Sequence, residues 1–215
     1  MKKAEISVEL VDYMGSDVNV VNAARVSFAK EVKEFDLESD QRLLNYLAKH
    51  GHWSPFAHTA LTVRCKVPLA LARQLVKHQV GGSWNEESRR YIDSEPEFWF
   101  PQVPHSRPEN AKQGCAGVNA HSNGWLYYME EHCERALGFY SDMLKSGVAP
   151  EEARLILPLN TMTNFVWTGS IMFFHRVWQQ RSDSHAQTFA REFAGKLFPA
   201  LSSIYPHSVE ALCHQ

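Results

Sequence analysis

The chain has no long apolar run, no cysteine pairing pattern and no marked excess of either charge, and each absence removes a class of protein. No segment approaches the ~20 consecutive apolar residues that cross a bilayer, so no membrane span is expected. The opening stretch MKKAEISVELVDYMG follows its lysines with Glu5, Glu9 and Asp12, unlike a secretory leader. The four cysteines, Cys65, Cys115, Cys133 and Cys213, show no C-x-x-C spacing. They read as reduced thiols of a cytoplasmic protein, in a host's cytoplasm if the chain is viral, rather than as a disulfide framework. A formal net charge of −2 gives no general basic field, so nucleic acid is not an expected partner. There is no H-E-x-x-H and no Cys/His zinc spacing. No metal site is therefore expected, and His52, His58, His175 and His185 read as hydrogen-bonded or surface histidines. No G-x-S-x-G elbow occurs. Cys65 and Cys133 fall on apolar faces, where a thiolate is disfavoured.

What remains is an ordinary globular composition, 44% hydrophobic and 21% charged over 215 residues. That length can bury a sizeable core, and one domain over 1–215 is expected. Residues 4–11 read as a first strand. DVNVVNAARVSFAK reads as a short helix with a small-residue face. LESDQRLLNYLAKHGH is a clearer helix, with Leu43, Leu44 and Leu47 at helical spacing and Gly51 to end it. TALTVRCKV alternates, with Leu61, Val63, Cys65 and Val67 on one side, as in a half-buried strand. Pro68 suits the first turn of a helix that buries Leu71, Leu75 and Val76 and stops at Gly81-Gly82. Residues 93–117 read as a long irregular excursion. A long helix over about 119–146 should bury Leu126, Met129, Cys133, Leu137, Tyr140 and Leu144 and stop at Gly147. Pro150 should start a short helix ending before Pro158. Two further helices are expected, roughly 163–180 and 184–201. The result is a helix-rich α/β fold.

The chemistry concentrates in LARQLVKHQVGGSWNEESRRY, residues 71–91. After Gly81-Gly82, successive backbone N–H groups can converge on an anion. Ser88 adds a hydroxyl, and Arg89 and Arg90 add forked donors suited to phosphate. A solvated loop, with Glu86 and Glu87 neutralising the arginines, accounts for the same composition. Arg154, in EEARLILPLNT, and Arg176 and Arg181, in FFHRVWQQRSDSHAQ, are the other conspicuous cations. Arg154 reads equally as a surface helix residue. Arg181 reads equally as a cation favoured at a helix C-terminus by the dipole.

Taken together and in order, ARVSF (24–28), HWSPFAH (52–58), ARQLVKHQ with SWNEESRRY (72–91), ARLILP (153–158) and RSDSHAQ (181–187) resemble the blocks of the flavin-dependent thymidylate synthases. They span most of the chain. The core signature of that family is Arg-His-Arg, then seven residues, then Ser. This chain has Lys77-His78-Gln79, with eight residues before Ser88, and Ala57 where the family has an acidic residue. The resemblance implies a helix-rich α+β domain with a central, mostly antiparallel sheet. It implies conversion of dUMP to dTMP, with methylenetetrahydrofolate and NADPH as co-substrates and FAD as cofactor, in a homotetramer whose sites lie between subunits. By motif, Gln74, Lys77, Glu87, Ser88, Arg89, Arg90, Arg154 (from another subunit) and Arg181 would hold dUMP. Arg181 would act catalytically, favouring the ionised N3 of the uracil. Ser54, Lys77, His78, Gln79, Glu86, Ser170, Ile171, Met172 and Arg176 would line the flavin. A related pyrimidine hydroxymethylase, and a non-catalytic nucleotide-binding paralogue, remain the alternatives.

Overall fold

Alternation along the chain decides the sheet. The computed structural model describes residues 1–92, 94–109 and 114–213. β3 (Ala60–Pro68) carries Leu61, Val63, Cys65 and Val67 on one face, all without solvent contact, while Thr62, Arg64 and Lys66 turn the other way. It pairs antiparallel on one side with β2 (Ser7–Met14) and on the other with β6 (Met162–Gly169); β4 (Gly82–Glu86) closes the sheet in the order β2-β3-β6-β4. The mostly antiparallel sheet is as expected. A short parallel pair, β1 (Lys2–Lys3) with β5 (Glu97–Phe98), lies apart from it and gives the excursion a paired strand. Part of that excursion, residues 93 and 110–113, lies outside the described residues.

The helices cover the apolar side. α1 (Asp17–Arg25), α2 (Ser39–Lys49), α6 (Ile171–Ser182), α7 (Thr188–Ile204) and α8 (Pro206–Cys213) supply Val20, Val21, Leu44, Phe174, Val177, Phe193, Leu197 and Val209 to a core shared with Leu61, Val63, Phe165 and Trp167. Asp17 is buried at the start of α1, and its carboxylate accepts from the backbone N–H groups of His207 and Ser208 and from the Ser208 hydroxyl. It therefore caps α8, about 190 residues away, and satisfies donors that a helix start leaves open. A carboxylate there also suits the positive end of the helix. Arg25 pairs with the wholly buried Asp40 of α2 at 2.5 Å, so α1, α2 and α8 are bound by charge as well as by packing. No helix among the described residues is long and apolar enough to cross a membrane.

Several sequence expectations hold. Gly51 and Gly147 take left-handed φ values of 67° and 86° just past α2 and α4 (Ser122–Lys145). The short helix at Pro150 is α5 (Pro150–Ala153), which tightens into a 3-10 turn over Arg154–Ile156. Along α4, Cys133 and Tyr140 are buried as expected, with Ala136, but Leu126, Met129, Leu137 and Leu144 are only half-buried. Trp125, Tyr127, Tyr128 and Phe139 are more than half exposed on the same helix.

Several expectations fail. The helix after Pro68 ends at Leu75, well before Gly81-Gly82, and Val76 is only half-buried. The helix read over 163–180 is two elements, β6 followed by α6. Thr163, Phe165, Trp167 and Gly169 face one way on β6 and Asn164, Val166 and Thr168 the other. This aromatic and β-branched alternation fits a pleated strand flanked on both sides. Ser170 ends it by capping α6, its hydroxyl accepting from the Phe173 N–H at 3.2 Å. Residues 82–86 are strand rather than loop, for the aromatic reasons given below. Finally, the terminal α8 was not anticipated; Pro206 opens it at a position where no intrahelical donor is needed.

Candidate functional site

Two directly opposed glycines place the site. Gly82 of β4 pairs across from Gly169 of β6, and the Phe173 ring lies over both. A Cβ at either glycine would fall well inside van der Waals contact with that ring. Trp84, two residues further along β4, stacks on Phe165 with ring centroids 3.5 Å apart and meets Trp167 edge-on at 5.3 Å. This aromatic layer converts GSWNE into a strand. Gly81, at φ +87°, makes the turn that delivers it. The amides that follow Gly81-Gly82 belong to the extended strand β4, which points them alternately to its two edges, so they do not converge on an anion as the sequence suggested.

Phe173 sits one turn into α6, so the glycine cradle fixes where that helix starts on the sheet. The other end of α6 then projects toward the end of α3 (Leu69–Leu75). There Arg181 reaches His78, in the turn after α3. The Nε2 atom of His78 receives Arg181 Nη2 at 2.8 Å and Nε at 3.1 Å, and Nη2 also lies 3.5 Å from the Gln74 carbonyl. Burial, reinforced by the neighbouring Arg181 charge, pushes the His78 pKa down to about 4. The ring is therefore neutral near pH 7 and able to accept. Burial also lowers the Arg181 pKa. The Gln74 amide donates to Gln187 Oε1 at 2.5 Å, tying α3 to the start of α7.

Gln74, Arg181 and Gln187 wall a polar cleft of about 850 Å³ that also includes Arg73, Lys77, Gln179, Gln180, Asp183 and His185, with His78 behind Arg181. Three cations, Arg73, Lys77 and Arg181, share it with one carboxylate, that of Asp183. Such a cleft suits an anionic ligand carrying many acceptors. Sequence reasoning did not single out Arg73; it lies on α3, with Lys77 in the turn just beyond the helix end, and both reach the cleft. Gln187 was quoted within RSDSHAQ but given no role.

A second, smaller hollow of about 120 Å³ gathers Glu86, Glu87, Arg89 and Arg154, with Leu69 and Thr163. Asn164 holds Glu87 at 2.8 Å, and Thr163 donates to Glu86 at 2.7 Å. Arg89 donates from Nη1 to the Ser94 carbonyl, while its buried Nε has no hydrogen-bond partner among the described residues. Ser88 and Arg90 lie on the following loop, where Arg90 donates from Nε to the Ser88 hydroxyl at 3.2 Å and lies over the Tyr91 ring. α3 borders both hollows, with Leu69 at its start and Arg73 and Gln74 near its end. The sequence-derived nucleotide residues thus form two groups: Gln74, Lys77 and Arg181 at the cleft, and Glu87, Arg89 and Arg154 at the hollow.

The sequence-derived flavin residues divide as well. Lys77, His78 and Gln79 lie at the end of α3, and Glu86 lies at the smaller hollow. Ser54 is exposed at the start of the 3-10 turn Pro55–Ala57, and the neighbouring His52, Trp53 and Phe56 border a small hollow with Met172. Thr59 accepts from the Ile171 N–H at 3.0 Å, which ties this loop to the first turn of α6. Arg176 is exposed and donates to the Met172 carbonyl. The Ser170 hydroxyl is occupied as a cap, and the Ile171 side chain is wholly buried in the core. Ile171 therefore offers a cofactor no side-chain surface, a position that its chain neighbours Ser170 and Met172 do not share. Among the described residues no three His, Cys, Asp or Glu side chains gather as a metal-ligand set.

A third hollow, about 330 Å³, lies between α4 and the start of α7 and is lined by Trp99, Met129, Cys133, Pro158, Leu159 and Phe189. Of its polar members His132 and Asn160, Asn160 is already satisfied by the Trp99 carbonyl and Cys133. It offers little to an anion.

Comparison with known proteins finds relatives across nearly the whole chain. Residues 9–207 match the family described as thymidylate synthase complementing protein. Among curated relatives, the flavin-dependent thymidylate synthase of Thermotoga neapolitana is 37% identical over 209 residues, covering 95% of this chain and 89% of that protein. That of Thermosipho africanus is 35% identical over 206 residues, with the same coverage. Among solved structures, the UMP/dUMP methylase PolB from Streptomyces cacaoi bound with 5-Br dUMP superimposes with a TM-score of 0.89 at 29% identity, covering 100% of this chain and 97% of that one. The same methylase bound with 5-Br UMP gives a TM-score of 0.84 at 28% identity, covering 100% and 96%.

Proposed function

This chain belongs to the thymidylate synthase complementing protein family, and from that premise we propose that it methylates dUMP to dTMP. Methylenetetrahydrofolate would give the carbon, and NADPH-reduced FAD the hydride, chemistry that no protein side chain can supply. The observation that carries this reading is the cleft at the junction of α3 and α6, where Arg181 is presented by a neutral histidine among Arg73, Lys77 and Gln74. A guanidinium held there stabilises negative charge developing on a pyrimidine, and it does so in a partly desolvated site where the effect is strengthened. Gln74 and Lys77 bind the nucleotide beside it. Glu87, Ser88, Arg89, Arg90 and Arg154 grip phosphate and sugar, and the spare Nε of Arg89 supports that assignment.

The available donors fit a flavin dinucleotide. Ser54, Lys77, Gln79 and Arg176 present exposed polar or cationic groups, and Met172 presents a half-buried apolar surface beside the 52–56 loop. Glu86 completes the set, together with the backbone around Ser170 and Ile171. With its nucleotide residues divided between two hollows, the chain is well suited to an assembly in which Arg154 serves a neighbouring copy. The exposed aromatics of α4 support self-association, and a homotetramer working in the cytoplasm is the proposed form.

The test is direct. Purified protein is examined for flavin absorbance, then supplied with dUMP, methylenetetrahydrofolate and NADPH, and the product is weighed by mass spectrometry. A yellow protein yielding dTMP supports the reading. A hydroxymethyl product would replace it with the related hydroxymethylase, and a colourless protein that binds dUMP without turnover would indicate a non-catalytic paralogue. Broader substrate use is a second reading, favoured by the fold's match to a methylase named for both UMP and dUMP. UMP in parallel reactions measures it.

A further inference from the structure

We infer that His78 is a positioning residue for Arg181, holding its guanidinium at the mouth of the cleft through an unprotonated ring nitrogen. This role differs from the flavin contact expected of His78 by motif, and it rests on the proposed action of Arg181 on the pyrimidine. Four observations carry it. Both Nε and Nη2 of Arg181 point to one acceptor atom, His78 Nε2, at 3.1 and 2.8 Å. That arrangement orients the whole planar fork, because a guanidinium held through two of its nitrogens cannot rotate freely. The Gln74 carbonyl braces Nη2 from the α3 side at 3.5 Å. No hydrogen bond is made by Nη1 among the described residues, so the opposite edge of the fork is left for a ligand. His78 is itself seated, half-buried, with its ring tilted 6.4 Å from that of Trp167 in β6.

The choice of histidine follows from the chemistry. The group beside Arg181 must accept a hydrogen bond without neutralising the cation. A carboxylate would accept, but it would also pair with the guanidinium and cancel the charge that the pyrimidine needs. A neutral imidazole accepts through Nε2 while its other nitrogen carries the proton. The burial and positive neighbour described above keep it in that state. Arg181 itself lies in the last turn of α6, where the helix dipole favours a cation, so the fold supplies the charge and His78 supplies its direction.

Turnover of the flavin-loaded enzyme tests the inference, with flavin content measured by absorbance in every variant and folding checked by thermal melting. His78→Phe keeps a ring against Trp167 but removes the acceptor. It is expected to lower kcat at least about tenfold, with a smaller change in KM for dUMP, as expected when an interaction matters most in the transition state. His78→Gln restores an acceptor and should return kcat to within about threefold of the parent. In an Arg181→Ala background, His78→Phe should cost nothing further, since a positioning residue acts only through what it positions. Full kcat in His78→Phe overturns the inference. So do equal losses in the Phe and Gln variants, which indicate a packing role, and additive losses with Arg181→Ala, which indicate direct action of His78 on cofactor or substrate. If Arg181→Ala alone turns over normally, the proposed role of Arg181 fails and this inference fails with it. An inactive Arg181→Ala beside an unimpaired His78→Phe overturns the positioning role alone.

Discussion

The two ends of α6 do different work on the same helix. Its first turn is packed: Ile171, Phe173 and Phe174 are buried, and Phe173 lies on two glycines that leave no room for a Cβ. Its last turn is polar: Gln179, Gln180 and Arg181 border an open cleft, and Arg181 is held by hydrogen bonds rather than by contacts. One end spends apolar surface to fix the helix against the sheet, and the other keeps charge partly desolvated and, among the described residues, in no salt bridge with a carboxylate. The lesson is that a reactive arginine can be placed by packing about two turns away. Rigid seating of the helix substitutes for a salt bridge, which would cancel the charge.

The comparison breaks most sharply at Arg181. Arg181→Ala should lower turnover by ~10²–10³, a loss of ~2.7–4 kcal/mol of transition-state stabilisation, while dUMP affinity and melting temperature change far less. Steady-state kinetics beside calorimetry would check it. Near-normal turnover would remove the arginine from the chemistry.

The packed end should behave in the opposite way. Gly169→Ala puts a methyl into the Phe173 ring and should cost ~1–3 kcal/mol of stability, read as a lower melting temperature. Combining it with Phe173→Leu should recover part of that loss, because the smaller side chain vacates the space. A Gly169→Ala variant as stable as the parent would show that the cradle relaxes freely and does not fix α6.

A third contrast separates the cleft from the loop beyond β4. Arg90 is exposed and, among the described residues, bonds to Ser88 and lies over its neighbouring Tyr91 ring. Arg90→Ala should weaken dUMP binding about tenfold and leave deoxyuridine binding almost unchanged, because a phosphate contact is lost with the phosphate. Equal losses for both ligands would assign Arg90 another task.

The smallest effects are expected at the cysteines. Cys65 and Cys133 are buried, and burial raises the pKa of both thiols. Cys213 is half-buried and also raised. Cys115 is exposed and lies beside Thr188, near the cleft, a proximity invisible in sequence. Replacing Cys115 and Cys213 by Ser, and Cys65 and Cys133 by Ala, should keep turnover within about tenfold, since hydride delivery by a cofactor makes a protein thiol unnecessary. The Cys65 and Cys133 variants should lose some thermal stability, as packing residues do. Complete inactivation by a folded Cys115→Ser variant that still binds FAD and dUMP would place a thiol in the reaction.

What the sequence by itself determined is local and periodic. The alternation of Leu61, Val63, Cys65 and Val67 specified β3 and its buried face, because a strand repeats every second residue. Gly51 and Gly147 marked the ends of α2 and α4, because left-handed φ is cheap only for glycine. Motif order was enough to nominate Arg154, Arg181 and the 86–90 loop. The tertiary structure decided the rest. Residues 163–169 are strand because Phe165 and Trp167 pack between β3 and β4, and the aromatic content suited either a buried helix or a buried strand until those partners were in place. Gly81-Gly82 looked like a phosphate nest, but Gly82 is needed for the approach of Phe173, a residue more than ninety positions away. The meeting of His78 with Arg181 depends on the turn after α3 and the end of α6 being brought together. No short-range pattern encodes it, because a hydrogen bond between residues 103 positions apart exists only after the packing that brings them together.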